Sequence, residues 1–146
     1  MTETIKAESY FFKGNAIGIL PLELTFLFKT FDKSQYILEL EDDWDDAGGE
    51  KYDEKTWLNA IKFLMRYAKA LYDDFNIVIN SPKIYHGPSG SIDILWEPTA
   101  SRLVINIPKE GEKAMFYADD YKDQTTEGVF QLDNFNVSLI PFAIQL

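Results

Sequence analysis

The sequence has no cysteine and a single histidine, His86. The first absence removes a disulfide framework, thiol catalysis and any cysteine-based zinc site. The second removes a metal site or catalytic dyad built on two imidazoles of one chain. No apolar run reaches the roughly 20 residues that span a bilayer, so no membrane contact is expected. The opening MTETIKAESYFF lacks the basic-then-apolar plan of a secretory leader, and a cytoplasmic protein is expected. Cations are scarce: 14 Lys and Arg stand against 24 Asp and Glu, a formal net charge of −10. Phosphate backbones are bound by clustered Lys and Arg, so direct nucleic-acid binding is not expected. A charge of this sign suits high solubility or a basic protein partner. Gly87-Pro88-Ser89-Gly90 has neither the lysine nor the following helix of a phosphate-binding loop. No cofactor or metal is expected, and there is no internal repeat or low-complexity linker.

What is present is apolar substance. Hydrophobic residues make up 46% and aromatics 15% of 146 residues, enough for one domain over 1–146 with a core that needs no staples. The chain is organised around residues 39–75. Asp53 is placed to cap a helix, and Glu54 to meet the positive end of its dipole. Apolar residues then recur at Trp57, Ala60, Ile61, Leu64, Tyr67, Ala68, Leu71 and Phe75, the spacing of one buried helical face. Lys55, Asn59, Lys62, Arg66, Lys69 and Asp73 form a narrow polar stripe, read as a solvated face or a contact for an acidic partner. Leu58, Met65 and Tyr72 fall between, which widens the apolar arc. A helix covered on two sides is expected, by a sheet and a second helix.

The segment before this helix is crowded with acids. Glu39, Glu41, Asp42, Asp43, Asp45, Asp46, Glu50, Asp53 and Glu54 face only Lys51, with Trp44 among them and Gly48-Gly49 supplying a turn. Carboxylates this close repel one another unless cations or a basic partner offset them. The candidate partner-binding residues are therefore Asp42, Asp43, Trp44, Asp45, Asp46 and Glu50. A divalent-cation site is a weaker reading, because the acids do not follow the EF-hand spacing. The plain structural reading is an acidic helix entrance with Trp44 folded back into the core.

Elsewhere the patterns are shorter. Residues 10–20 read as a hairpin or an irregular entry, with a turn at Gly14-Asn15. Pro21 suits a first helical position, and Leu24, Leu27, Phe28 and Phe31 fit a helix. Alternation at Leu22, Leu24, Phe26 and Phe28 fits a strand as well. Ser34 is placed to cap a further turn or two through Leu40. Beyond Phe75 short segments alternate with turn signals: residues 77–79, 83–86, 91–96, 102–107, 114–118 and 129–132, with a polar loop over 119–128. The apolar tail, residues 136–146, would dock on the core or form an oligomer contact. The expected fold is α+β: an antiparallel sheet of about four to six strands, with one long helix and a shorter N-terminal helix packed on one face.

Four pieces follow one another in order: Leu40-Glu41-Asp42-Asp43-Trp44-Asp45-Asp46-Ala47-Gly48-Gly49, a helix carrying Ala60 and Phe63-Leu64, Pro82-Lys83-Ile84, and the run from Gly87 through Gly90-Ser91-Ile92 to Trp96. Together they resemble a set of small bacterial proteins without an assigned activity, built on a Trp-Asp acidic loop, a helix and a Gly-Ser-Ile-x-x-x-Trp hairpin. The resemblance covers residues 40–117, and Asp46 and Gly49 stand where that set is expected to carry glycine and alanine. It implies a compact bacterial α+β domain and carries over no catalytic residue.

Three functions are compatible with these features. The first is a non-enzymatic acidic module that docks on a basic protein, of antitoxin, immunity, inhibitor or accessory-subunit type. The second is a small enzyme with a carboxylate or metal-dependent site near the acidic loop and His86. The third is a structural subunit of a phage or cellular assembly that self-associates through its tail. A Ser-His-Asp set from Ser89 or Ser91, His86 and Asp93 is not expected, because neighbours in one turn do not take that geometry.

Overall fold

A computed structural model describes residues 6–98, 101–110 and 112–133; the tail at 136–146 lies outside the described residues. The chain opens with an antiparallel hairpin, β1 (Ala7–Phe12) and β2 (Asn15–Pro21). Its turn is Lys13-Gly14, at φ 50° and 80°, the left-handed pair whose twist matches that of the flanking strands. Tyr10 pairs with Gly18 and Phe11 with Ala16, which leaves Ile17 as a bulge. A 3-10 turn over Leu22–Leu24 leads into α1 (Leu27–Lys33), and a second 3-10 segment runs over Ser34–Glu39.

The acidic loop follows, and then α2 (Glu54–Phe75), 22 residues long. Thr56, Trp57, Ala60, Ile61, Phe63, Leu64, Met65, Tyr67, Ala68 and Leu71 are buried, while Lys55, Lys62, Arg66, Lys69 and Asp73 face water. The expected wide apolar arc is real, but its second cover differs. One side of α2 meets the sheet through β4 (Ile92–Trp96) and β5 (Arg102–Ile107), and another meets β2 of the hairpin. With only seven residues, α1 packs against β3 (Lys83–His86) instead of running along α2.

Among the described residues the sheet continues with β6 (Lys113–Asp119) and β7 (Thr125–Gln131), in the order β3-β4-β5-β6-β7, every pair antiparallel. Alternation sets its two faces. Ile92, Ile94, Trp96, Leu103, Ile105, Ile107, Ala114, Phe116, Ala118 and Phe130 point into a single hydrophobic cluster shared with α2, the hairpin and α1. The α+β class, the long helix and the shorter N-terminal helix all stand as expected.

Six local expectations change. Pro21 closes β2 in an extended conformation, at φ −55° and ψ 153°, instead of opening a helix, and Phe75 at the end of α2 is 45% exposed instead of buried. Asp53 is extended, at φ −79° and ψ 137°, and its side chain caps nothing; its carbonyl takes the first helical N–H, from Trp57, at 3.2 Å. The acid that meets this helix end is Glu54, paired with Lys13 at 2.9 Å. Ser34 does not cap either. Its hydroxyl donates to the Phe31 carbonyl at 2.7 Å and accepts the buried Trp57 indole N–H at 2.8 Å. Residues 77–79 form no strand, because Asn76 takes a left-handed conformation that closes α2 and turns the chain across it, with Ile77 N–H on the Leu71 carbonyl at 3.0 Å. The polar loop is shorter than expected, since Thr125, Thr126, Glu127 and Gly128 pair with Asp119, Ala118, Tyr117 and Phe116.

Candidate functional site

The loop between the 3-10 segment and α2 is held by its own acids. Trp44 N–H reaches the Glu41 carbonyl at 3.1 Å, Asp46 N–H the Asp43 carbonyl at 3.0 Å, and Asp43 N–H the Gly49 carbonyl at 2.6 Å. Asp43 and Asp46 sit at φ 59° and 57°, a left-handed region that aspartate visits more readily than most residues. Three carboxylates then reach back to the main chain. Asp45 Oδ1 accepts Gly49 N–H at 2.8 Å and Ala47 N–H at 3.0 Å. Asp43 Oδ1 accepts Gly48 N–H at 2.8 Å, and Asp42 Oδ1 accepts Lys51 N–H at 2.9 Å. Short acidic side chains take the place of a secondary-structure partner in such turns. The Gly49 and Ala47 amides hold the Asp45 carboxyl below its ordinary value.

Trp44 joins this loop to the sheet. Its indole N–H donates to the Glu50 carbonyl at 3.1 Å. Its ring stands edge-on to His86, with centroids 4.7 Å apart, and lies 6.3 Å from Tyr52. Tyr52 donates its hydroxyl to the Gly87 carbonyl at 2.5 Å. Tyr36, from the 3-10 segment, places its hydroxyl 3.0 Å from His86 Nδ1. Burial raises the phenol pKa of both tyrosines; for Tyr52 the Asp45 charge adds to it, while for Tyr36 the contact with His86 opposes it. A four-ring platform of Trp44, Tyr52, Tyr36 and His86 thus supports the loop. Gly49 backs onto it closely: a Cβ there would fall 2.6 Å from Trp44 Nε1 and 2.7 Å from Asp45 Oδ1.

Asp42, Asp43, Trp44, Asp45, Asp46 and Glu50 therefore share one ordered loop. Glu50 approaches Lys109 at 3.7 Å. Among the described residues, Asp42, Asp43, Asp45 and Asp46 form no ion pair, and all four are exposed. Hydrogen bonding to backbone leaves their charge intact, so the loop projects net negative charge from a fixed frame. No three Asp, Glu or His side chains among the described residues converge as metal ligands would. Ser89, Ser91 and Asp93 are not assembled with His86. Ser91 donates to the Pro88 carbonyl at 2.6 Å, and the Asn106 amide bridges Ser91 at 2.9 Å and Asp93 at 2.7 Å. Asp93 lies on the opposite face of the sheet from His86, which explains the separation.

Tyr36 and Tyr52 belong to the site but were not singled out from the sequence. Tyr52 had a signal, an aromatic residue directly after the acidic run; Tyr36 had none. Comparisons with family models, with curated proteins and with solved structures find no match for the chain.

Proposed function

We propose that this chain is a non-enzymatic protein-binding module whose acidic loop docks on a basic protein surface, in the manner of an antitoxin, immunity factor, inhibitor or accessory subunit. The supporting observation is that Asp42, Asp43 and Asp45 are tied to the loop's own amides while their charges, and that of Asp46, are not neutralised by any described Lys or Arg. A loop already ordered before contact loses less conformational freedom on binding. Uncompensated charge of one sign steers a basic partner and speeds encounter. Trp44 is half-buried and clamped by His86 and Glu50, so its part is to hold the loop's shape, with the carboxylates making the contact.

The test separates charge from architecture. Asparagine keeps the Oδ1 acceptor of aspartate and removes the charge. A chain carrying Asp42→Asn, Asp43→Asn, Asp45→Asn and Asp46→Asn should fold with unchanged circular dichroism. In an affinity pull-down from source cells, wild type should retain a basic protein at low salt and release it at high salt. The substituted chain should retain none. Equal recovery by both chains would remove the loop from the function.

A further inference from the structure

The outer face of the five-stranded sheet, opposite α2, has no helix or strand lying on it among the described residues. Such a face is usually polar when it meets only water. Here it carries Tyr85, Leu95, Val104, Met115, Tyr117 and Val129, of which Tyr85, Met115 and Val129 are 40%, 55% and 59% exposed. Val104, Met115, Tyr117 and Val129 border a shallow groove of about 490 Å³. Patches of this kind mark association sites.

The charges on this face select the occupant. One row across the sheet reads Lys83, Leu95, Val104, Tyr117, Glu127, each residue paired with the next. It has a cation on the β3 edge, an anion on the β7 edge and three apolar residues between. Neither Lys83 nor Glu127 is in an ion pair among the described residues. We propose that this face is a two-fold interface between two copies of the chain, with the axis running parallel to the strands along β5. That rotation lays Lys83 over Glu127 of the second copy and Glu127 over its Lys83. It sets Val104 on Val104 and Leu95 on Tyr117. The adjacent row, Tyr85, Asp93, Asn106, Met115, Val129, then puts Tyr85 over Val129, with Asn106 on the axis. An axis perpendicular to the strands would instead stack Lys83 on Lys83 and Glu127 on Glu127. Of the other charges of the face, Arg102 pairs with Asp119 at 2.6 Å and Asp93 accepts from Asn106 within one chain, while Lys113, at the start of β6, is in no ion pair among the described residues.

Sheets packed face to face lie about 10 Å apart, a distance these side chains can fill. Five strands at about 4.8 Å spacing, each with about five residues rising ~3.3 Å, give a patch of roughly 400 Å² per copy. Twice that area is below about 1,200 Å², the range of weak and transient complexes. Both copies also carry net charge −10, which opposes association at long range. The dimer is therefore weak and concentration-dependent.

Sedimentation equilibrium of the full chain from about 10 μM to about 1 mM covers this range. Wild type should follow a reversible monomer–dimer equilibrium. Val104→Glu places two carboxylates together on the axis and should leave only monomer. Lys83→Glu and Glu127→Lys should each raise Kd by about fivefold or more, and the double exchange should restore it, because the pair is re-formed with its signs reversed. All these positions lie on the solvent side of the sheet, and circular dichroism checks that each variant is folded. A wild-type chain that stays monomeric throughout would overturn the proposal. So would a dimer indifferent to Val104→Glu, or a double exchange no better than the single ones. A dimer that forms only when the chain is cut after residue 133 would also overturn it, by showing that the chain's own end occupies the face.

Discussion

Asp45 shows what the individual acids of the loop do. Its Oδ1 collects two amide hydrogens, from Gly49 and Ala47, so its carboxylate is a structural acceptor as well as a charge. Replacing it by Asn should preserve the turn, whereas Ala should release both amides. Gly49 is equally constrained. A methyl group there would meet the Trp44 indole and the Asp45 carboxylate, so Gly49→Ala should push Trp44 off His86. Trp57 and Trp96 are buried and Trp44 is not, so acrylamide quenching of tryptophan fluorescence reports on Trp44 and should increase in this variant. Trp57 itself donates to the buried Ser34 hydroxyl at 2.8 Å. Trp57→Phe removes that donor and leaves a small void, and should cost about 2 kcal/mol in urea denaturation. The candidate residues were legible because acids, a tryptophan and a glycine pair stood together in sequence. The direction of each Oδ1 was not, since it depends on the left-handed backbone at Asp43 and Asp46, which side-chain pattern does not encode.

At the scale of elements, α2 was the most readable part. Its three- and four-residue spacing placed Trp57, Leu64 and Leu71 inward, and all three are fully buried. Leu64→Ala should therefore cost about 3 kcal/mol, in the lower half of the range for buried leucines. The ends of the helix were harder to read. Asp53 had the right identity for a cap, but its side chain makes no such bond. The C-terminal end depends on Asn76 at φ 54°, where a residue with Cβ is strained and Asn is among the least penalised. Asn76→Ala should lose about 1 kcal/mol and Asn76→Gly should lose none, measured by thermal unfolding. The partner of the wide apolar arc also escaped the sequence reading. Periodicity says that two sides of a helix are buried, but it does not say whether a hairpin or a helix buries the second. The outcome turned on residues 10–20, where the two-residue turn and the Ile17 bulge let a short hairpin curl onto Met65.

At the scale of the whole molecule, the antiparallel meander followed from short alternating segments with turns between them, and among the described residues every pairing joins neighbours in sequence. The charge distribution follows from the same layout: acids gather at the entrance of α2, and Lys55, Lys62, Arg66 and Lys69 line its outer side. Among the described residues, two carboxylates have lowered pKa values, Asp45 through the Gly49 and Ala47 amides and Asp119 through Arg102. A depressed folded-state pKa gives stability that is fully present above the ordinary value of 3.8 and is lost as the pH falls through the folded-state value. Stability from these two groups should be flat between neutrality and pH 5 and should fall below about pH 3.8. Asp45→Asn should flatten part of that acid limb in denaturation curves taken across the range. The proposed docking depends on the loop being formed before any partner arrives. Backbone ¹⁵N relaxation of the free chain measures this directly. Amides of residues 42–51 should show order parameters near those of the helix, about 0.85, and values below about 0.6 would contradict a preformed site.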